Sequence, residues 1–570
     1  MSSYRVTSVF VASCDPQRLL AFQAQVKPTH WIVPYSDNRW HTLAQLGWVP
    51  AQPPEAWQTL EGIYPLETPV GEVLWVQYPQ ERIGALLAYK VDWMVADNLA
   101  QLKPWRSLAN AHTRVFGWSQ EPMPPFLSEI EECSGWRCGQ FKGRETEREA
   151  QSAKRVAIVG GGIAGAFCAY ALSLRGIPTL LVDRGVTLAS EASALFAGLI
   201  HPHWQQADSP LFKLTRAGYL HMLRLLAREP FRSLWGASEE LLASDDAMHP
   251  TEEALFEPIG VFDMASDDEE WERWSQAYAN GKPFRMPEQF AQLFTKEEAQ
   301  AQTGLPVARG GWWFPRAGLL YAGRLARALV KASGASVLTN TEVRLAREGE
   351  RWALYQVAGE KLAEVSDVIV AGARDSRSIL GLSLSELPLM GLKGRISFLE
   401  DVPLPEKRLA VTGTGYLMKI PGVLSAMGAT YEPLDKTPWS AREAHEHNIG
   451  LFESLLPTYP TPPGVWGGFY EGVRAVTTDR LPVVGRAFME ETLKGVSFKG
   501  VPELEALPHE KGLWLMTGLG SRGLTWGALC AETCVRELLG EPPLLEAPLR
   551  RALHPHRFVQ AQWTGKPLAK

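Results

Sequence analysis

The residues with the clearest chemical potential in this chain are three glycines. Gly160, Gly162 and Gly165 stand in the spacing G-x-G-x-x-G, directly after the apolar, β-branched run Val156-Ala-Ile-Val159. Glycine at the first place permits a tight turn, and at the second it lets a pyrophosphate approach the backbone. At the third it lets the following helix pack closely on the strand. Free amides and a partial positive charge at that helix start suit a phosphate. Ala166 to Arg175 has helical spacing, Gly176 ends it, and Thr179-Leu-Leu-Val182 is a second apolar strand closed by Asp183. A carboxylate there accepts hydrogen bonds from a ribose. Strand, turn, helix, strand and acid in one unit predict a dinucleotide site, which by itself serves FAD and NAD equally.

The elements that must position this unit lie in a chain of 570 residues, enough for two to four domains. Residues 1–150 hold only 8 of the 50 glycines, and none of them forms a G-x-G pair, so the cofactor turn belongs to the remainder. The charged, apolar-poor stretch Lys142–Arg155 reads as a linker or an exposed helix, and either places a domain boundary near residue 150. Beyond it, Val337–Val343 and Asp367–Ala371 read as short strands of the cofactor-binding half.

Composition narrows the class. With 45% apolar and 21% charged residues the chain is globular. No apolar run approaches the ~18–20 residues of a membrane span, and Arg5 and Thr7 interrupt the only candidate leader, so the expected compartment is the cytoplasm. A net charge of −6 argues against a general nucleic-acid binder and leaves room for a local basic face. The tail from Arg550 to Lys570 is basic and reads as solvated surface. Six scattered cysteines (Cys14, Cys133, Cys138, Cys168, Cys530, Cys534) make neither a disulfide framework nor a zinc pattern, and no metal is expected.

The segment Arg155–Pro202 resembles the start of the D-amino-acid-oxidase-like flavoenzymes, which place a further FAD segment near Ala192-Ser193. Gly518-Leu-Gly-Ser-Arg-Gly-Leu-Thr525 resembles that superfamily's C-terminal flavin segment, a glycine-rich turn opening a helix. This second segment favours FAD over NAD. Gly472–Gly485 (GVRAVTTDRLPVVG), Thr517–Leu529 (TGLGSRGLTWGAL), Gly428–Tyr431 (GATY) and His554–Phe558 (HPHRF) together resemble a narrower family. It is the oxidoreductase half of the bifunctional tRNA 5-methylaminomethyl-2-thiouridine biosynthesis proteins. The resemblance runs from about residue 155 to 560. It implies FAD contacts from Gly160, Gly162, Ile163, Ala164, Gly165, Asp183, Arg184, Ala192, Ser193, Val343, Gly518, Gly520, Ser521, Gly523, Leu524 and Thr525. One departure is local: the family's A-S-G-N is here Ala192-Ser193-Ala194-Leu195.

Residues 1–150 are similar to the methyltransferase half of that family only in part. Tyr4–Pro16 resembles its second strand and acidic end, Val91–Asn98 the strand that ends in Asp-Gly-Phe, and Phe126–Glu147 its closing strands. The first strand and the glycine-rich S-adenosylmethionine loop have no counterpart, so this region is expected to be truncated and inactive, a structural or tRNA-docking remnant.

The expected fold is therefore α/β: a Rossmann-like FAD-binding domain with an antiparallel-sheet substrate domain, preceded by a truncated methyltransferase-like region. The FAD subdomain is expected from about residues 155–202, 318–375 and 475–540, with the intervening segments forming the substrate subdomain. The resemblance implies FAD-dependent oxidation of the carboxymethylaminomethyl group on tRNA wobble uridine, giving aminomethyluridine and glyoxylate. It also implies a multifunctional relative, a CH–NH donor and a tRNA partner. Arginine suits the substrate carboxylate because its planar fork gives two parallel bonds. Arg474 lies where glycine-oxidase-like relatives place such an arginine, and Arg522 matches a second one at the flavin, the alternative for each being a surface or structural salt bridge. Tyr431 is a third candidate to line the site, a packed aromatic being its structural alternative. His201 and His203 read as a loop beside the cofactor. The rival readings are a small-molecule glycine, sarcosine or D-amino-acid oxidase, a bifunctional enzyme that also methylates its product, and a non-catalytic tRNA-binding scaffold.

Overall fold

The computed structural model describes residues 7–12, 15–34, 36–51, 61–78, 80–97, 99–109, 113–118, 124, 127–133, 136–141, 154–204, 209–235, 254–280, 287–399, 404–405, 407–420, 424–460, 466–493 and 507–559. The expected linker at 142–153, Tyr4, Asn98 and the basic tail beyond Val559 lie outside them. The chain divides into two compact units, one of residues 1–154 with 535–551, the other of 155–534 with 552–570. Among the described residues no helix is long and apolar enough to cross a membrane.

The first unit is built on an eight-stranded sheet. Its parallel core runs in the spatial order Gly71–Gln77, His30–Pro34, Ser8–Val11, Trp93–Ala96, Arg114–Trp118. By chain order that is 3-2-1-4-5, the doubly wound arrangement. This corrects the sequence reading: Ser8–Val11 holds the central, first-strand place rather than the second. The four residues of Ser8–Val11 are all buried, as a strand covered on both faces requires. Residues 535–551 join this unit although they follow the second glycine turn in sequence. Within it, both Glu72 carboxylate oxygens accept from Arg536 Nη2 at 2.6 Å.

The second unit holds a six-stranded sheet in the order Ser336–Leu338, Thr179–Val182, Val156–Val159, Asp367–Val370, Leu513–Thr517, Val483–Arg486, parallel except for the last strand. Val156–Val159, Asp367–Val370 and Leu513–Thr517 are buried throughout, which is why they read as continuous apolar runs. The helix Ile163–Ser173 is buried from Ala164 to Leu172. The strand expected over Val337–Val343 stops at Leu338. Asn340 adopts φ +50, a left-handed conformation that asparagine tolerates, and a separate three-stranded antiparallel sheet starts at Val343. Gly318–Leu320 pairs antiparallel with Gly198–Ile200 and Phe256–Glu257 in a small sheet of its own.

A nine-stranded, largely antiparallel sheet carries the rest of this unit. Its two longest strands, Leu389–Leu399 and Trp466–Thr477, pair antiparallel with Leu392 opposite Arg474 and Gly394 opposite Gly472. Thr477 then leads into Val483–Arg486 of the six-stranded sheet. One strand thus delivers Arg474 from the antiparallel layer to the edge of the parallel one.

Candidate active site

Three neighbouring parallel strands end together and supply the floor of the site. Val156–Val159 ends in Gly160, Asp367–Val370 in Ala371-Gly372, and Leu513–Thr517 in Gly518. Register therefore brings the two glycine turns to the same edge of one sheet. Gly160 has φ +118, and a Cβ there would lie 2.5 Å from the Ala371 carbonyl oxygen; a Cβ on Gly165 would lie 1.9 Å from the Gly160 carbonyl oxygen. Only glycine fits either place. Gly162 precedes the helix, and Ile163, Ala164 and Gly165 form its first turn, with the Ile163 amide donating to Ser193 Oγ at 3.0 Å. The turn Ala192–Ala194 is held in place by Tyr470, whose hydroxyl donates to the Glu191 and Ala192 carbonyls at 3.2 Å each.

Asp183 holds its own surroundings together. One carboxylate oxygen accepts from the Gly161 amide at 2.5 Å and the other from the Gly185 amide at 2.7 Å. Each oxygen keeps a second lone pair for a ribose hydroxyl. The Thr341 amide donates to the Asp183 carbonyl at 2.9 Å, which brings Val343, two residues on, to this end of the cradle. The Arg184 guanidinium pairs with Glu191 at 2.5 Å and Asp375 at 2.9 Å.

The second turn uses Gly518 and Gly520 at φ +68 and +58, followed by the helix Gly523–Leu539. A Cβ on Gly523 would lie 3.9 Å from Ile163 Cγ2, so the starts of the two glycine-opened helices adjoin. Leu524 packs beneath Gly198, and Thr525 Oγ1 donates to the His201 carbonyl at 3.5 Å. That contact puts the His201–His203 loop beside this segment. Ser521 is exposed. The glycine cradle, the helix start and the free lone pairs of Asp183 fit a dinucleotide.

Arg474 lies in the antiparallel sheet above. Its Nη1 donates to the Thr430 carbonyl at 3.3 Å and its guanidinium sits 4.9 Å from the centre of the Tyr431 ring. Among the described residues it has no carboxylate partner, so the ion-pair alternative does not hold for it. Tyr431 is 56% exposed and is not a packed core aromatic. Burial raises the Tyr416 and Tyr470 hydroxyls above the ordinary tyrosine range, while the positive charge of Arg474 pulls both down. Both are therefore neutral, and the Tyr470 proton is already given to the Glu191 and Ala192 carbonyls. Arg522 is half-buried, and desolvation lowers its pKa against the favourable fields of Tyr431 and Asp263. It too has no ion pair among the described residues.

Sequence reasoning missed Gly394, on which the Arg474 side chain lies. A glycine inside a strand signals close approach of another group, and that signal was present in Lys393-Gly394-Arg395. It also missed Asp263, a buried acid in the apolar strand Val261–Met264. Burial, then the charge of Glu270, push this carboxyl up to about 7 against the pull of Arg522. His201 and His203 are both pushed down to about 4, mainly by burial.

Residues 155–537 match the family model described as FAD dependent oxidoreductase. The tRNA 5-methylaminomethyl-2-thiouridine biosynthesis bifunctional proteins of Burkholderia mallei (strain SAVP1) and Burkholderia pseudomallei (strain K96243) are each 33% identical to the chain over 435 residues. That match covers 74% of this chain and 62% of theirs, so the chain spans less than two thirds of the length of these curated relatives. Among solved structures, glycine oxidase from Geobacillus kaustophilus is similar with TM-score 0.54 and 23% identity, over 70% of this chain and 98% of its own. L-proline dehydrogenase from P. horikoshii is similar with TM-score 0.52 and 17% identity, over 72% and 99%. At these identities the likeness is one of fold. The family model spans well over half of the sequence, and the chain belongs to the FAD-dependent oxidoreductases, with FAD as its cofactor.

Proposed function

We propose that this enzyme oxidises the carboxymethylaminomethyl group on the wobble uridine of tRNA, a CH–NH donor, releasing glyoxylate and leaving aminomethyluridine. The observation that carries this reading is the state of Arg474. It is a guanidinium with no carboxylate partner among the described residues, on the strand whose last residue, Thr477, packs on the second glycine turn, against an exposed tyrosine ring. Such a group is matched by a substrate carboxylate, which its fork binds through two charge-assisted bonds. The names of the curated relatives supply the tRNA.

FAD, when bound, supplies the two-electron acceptor for the carbon–nitrogen oxidation. The chain supplies position. Arg474 fixes the acid end of the glycine unit, Tyr416 offers a neutral hydroxyl, Tyr470 braces the Glu191-Ala192 turn, and the exposed Tyr431 ring is available to a planar base. Gly160, Gly162, Ile163, Ala164, Gly165, Asp183, Ser193, Gly518, Gly520 and Gly523 are the residues we assign to the cofactor. The place of action is the cytoplasm.

The first unit has no methyltransferase role in this reading. The sequence that follows its central strand, Ala12-Ser-Cys-Asp15, holds no glycine. Arg39 closes the same edge: its guanidinium donates to the Ala12 carbonyl at 2.5 Å and the Pro34 carbonyl at 3.1 Å, at the ends of the two central strands. In doubly wound sheets a ligand enters at that edge.

The test incubates the purified holoenzyme with tRNA bearing the carboxymethylaminomethyl group and analyses the nucleosides by mass. Conversion to aminomethyluridine with stoichiometric glyoxylate is expected. Intact modified tRNA, with turnover of free glycine or sarcosine instead, would overturn the tRNA assignment. Appearance of methylaminomethyluridine on adding S-adenosylmethionine would overturn the assignment of the first unit.

A further inference from the structure

We infer that Arg480 is a phosphate-binding residue for the RNA strand beside the reacting nucleotide, held out for that purpose by the Asp479–Arg557 pair. The inference rests on the tRNA reading above and adds to it a point of contact.

Arg480 combines three properties. It adopts φ +62, a left-handed conformation that costs a non-glycine residue about 1 kcal/mol or more. Its side chain is exposed, and among the described residues it has no hydrogen-bond or ion-pair partner. It also follows Thr477 at the end of the Arg474 strand, and Thr477 packs on the second glycine turn: a Cβ on Gly518 would lie 3.1 Å from Thr477 Cγ2. Its charge reaches the site, since it lowers the pKa of Arg522. Arg480 and Arg522 are thus near enough to feel each other's charge, and neither they nor Arg474 has a carboxylate paired to it among the described residues.

The backbone that presents Arg480 is braced from every side. The Arg480 amide donates to the Thr477 carbonyl at 3.1 Å, and Thr477 Oγ1 donates to Asp479 at 2.9 Å and to the Leu481 carbonyl at 2.7 Å. The Leu481 amide donates to the same Asp479 oxygen at 3.1 Å. Arg557, from the HPHRF segment, then clamps Asp479 through two bonds of 2.8 and 3.1 Å and reaches the Leu481 carbonyl at 3.0 Å. Both side chains of that pair are more than nine-tenths buried. A buried ion pair is a costly way to hold an ordinary surface turn. Here it holds an arginine in a conformation that glycine would adopt without strain.

An RNA substrate supplies the missing partner. Its carboxylate is taken by Arg474, its base has the face of Tyr431, and the phosphates flanking that nucleotide need a cation at the rim. Backbone phosphates fix register on a nucleic-acid partner and are met by arginine.

The test compares wild type with R480G and R480K, using fluorescently labelled tRNA bearing the carboxymethylaminomethyl group and measuring its Kd across a salt series. Glycine relieves the backbone while removing the charge, so a merely structural role predicts an unchanged or improved protein. Phosphate binding predicts a Kd raised about 3- to 10-fold in R480G, with the slope of log K against log salt smaller by about 0.7–0.9. R480K should recover part of both. Retained flavin absorbance and melting temperature show that R480G is folded. Wild-type Kd and salt slope in R480G would overturn the inference. Wild-type protein that neither binds nor oxidises this tRNA would overturn the substrate reading itself, and the inference with it.

Discussion

A Cβ built on Gly394 would stand 2.1 Å from Nη1 of Arg474, so the arginine assigned to the substrate lies flat across a glycine of the neighbouring strand. The register sets this contact, because Arg474 pairs with Leu392 and Gly394 is the next residue on the same face. Gly394→Ala should therefore lift the guanidinium without touching the cofactor cradle. A displacement of about 1 Å at a positioning group costs up to about 100-fold in rate. We expect kcat/KM for the modified tRNA to fall 10- to 100-fold, with flavin absorbance retained. Wild-type kinetics in this variant would show that Arg474 does not act from the place described.

Arg474→Ala removes the charge itself. The lost contact is one between charged groups, so KM should rise about 100-fold or turnover vanish, again with FAD bound. Arg474→Lys should recover little, since an ammonium is a point charge and lacks the paired fork. Steady-state kinetics against glyoxylate release check both variants.

Gly165→Ala tests the floor of the site. The added carbon meets a backbone carbonyl at 1.9 Å, and backbone cannot swing aside as a long side chain would. Overpacking of this kind costs roughly 1–3 kcal/mol. The variant should purify with little flavin and a lowered melting temperature. A fully yellow Gly165→Ala protein would remove this turn from the cofactor site.

These assignments differ in how far they could be read from the chain alone. Gly160, Gly162 and Gly165 were legible because a backbone that must approach a phosphate and a strand leaves no alternative to glycine. The meeting of the two glycine turns was implied only by resemblance, since nothing local says that Val156–Val159 and Leu513–Thr517 flank one common strand. The central place of Ser8–Val11 was misread for the same reason: strand order is a tertiary property. For Tyr431 the chain alone leaves a site position and a packed aromatic both open, because exposure is not written in a residue type. The Asp479–Arg557 pair joins residues 78 apart in sequence, and neither carries a local sign of the other.

That pair should be strongly coupled. Arg557→Met leaves the Asp479 carboxylate buried opposite an apolar side chain, a change that costs about 3–5 kcal/mol. Adding Asp479→Asn removes the stranded charge, so the double variant should be more stable than Arg557→Met alone. Thermal or denaturant unfolding of the four proteins of the cycle measures this. Additive losses would mean that the two side chains hold the turn independently.

Asp263 makes stability depend on pH with a definite sign. Its carboxyl is pushed up from 3.8 to about 7, chiefly by burial, so the folded state holds a proton that the unfolded state has already released. Between about pH 4 and 7 the unfolded state binds fewer protons. Asp263 therefore lowers stability progressively as pH rises through that window, and its full cost is present above it. Asp263→Asn removes the titration while keeping the shape. The variant should gain melting temperature over wild type at pH 8, and the difference should shrink steadily toward pH 4. His201 and His203, pushed down to about 4, act in the opposite sense: their contribution is complete above pH 6.5 and is lost as pH falls toward 4. Because both proteins carry those histidines, the variant-minus-wild-type difference isolates the carboxyl. A difference that stays constant from pH 4 to 8 would mean that Asp263 ionises in the folded protein as it does in the unfolded chain.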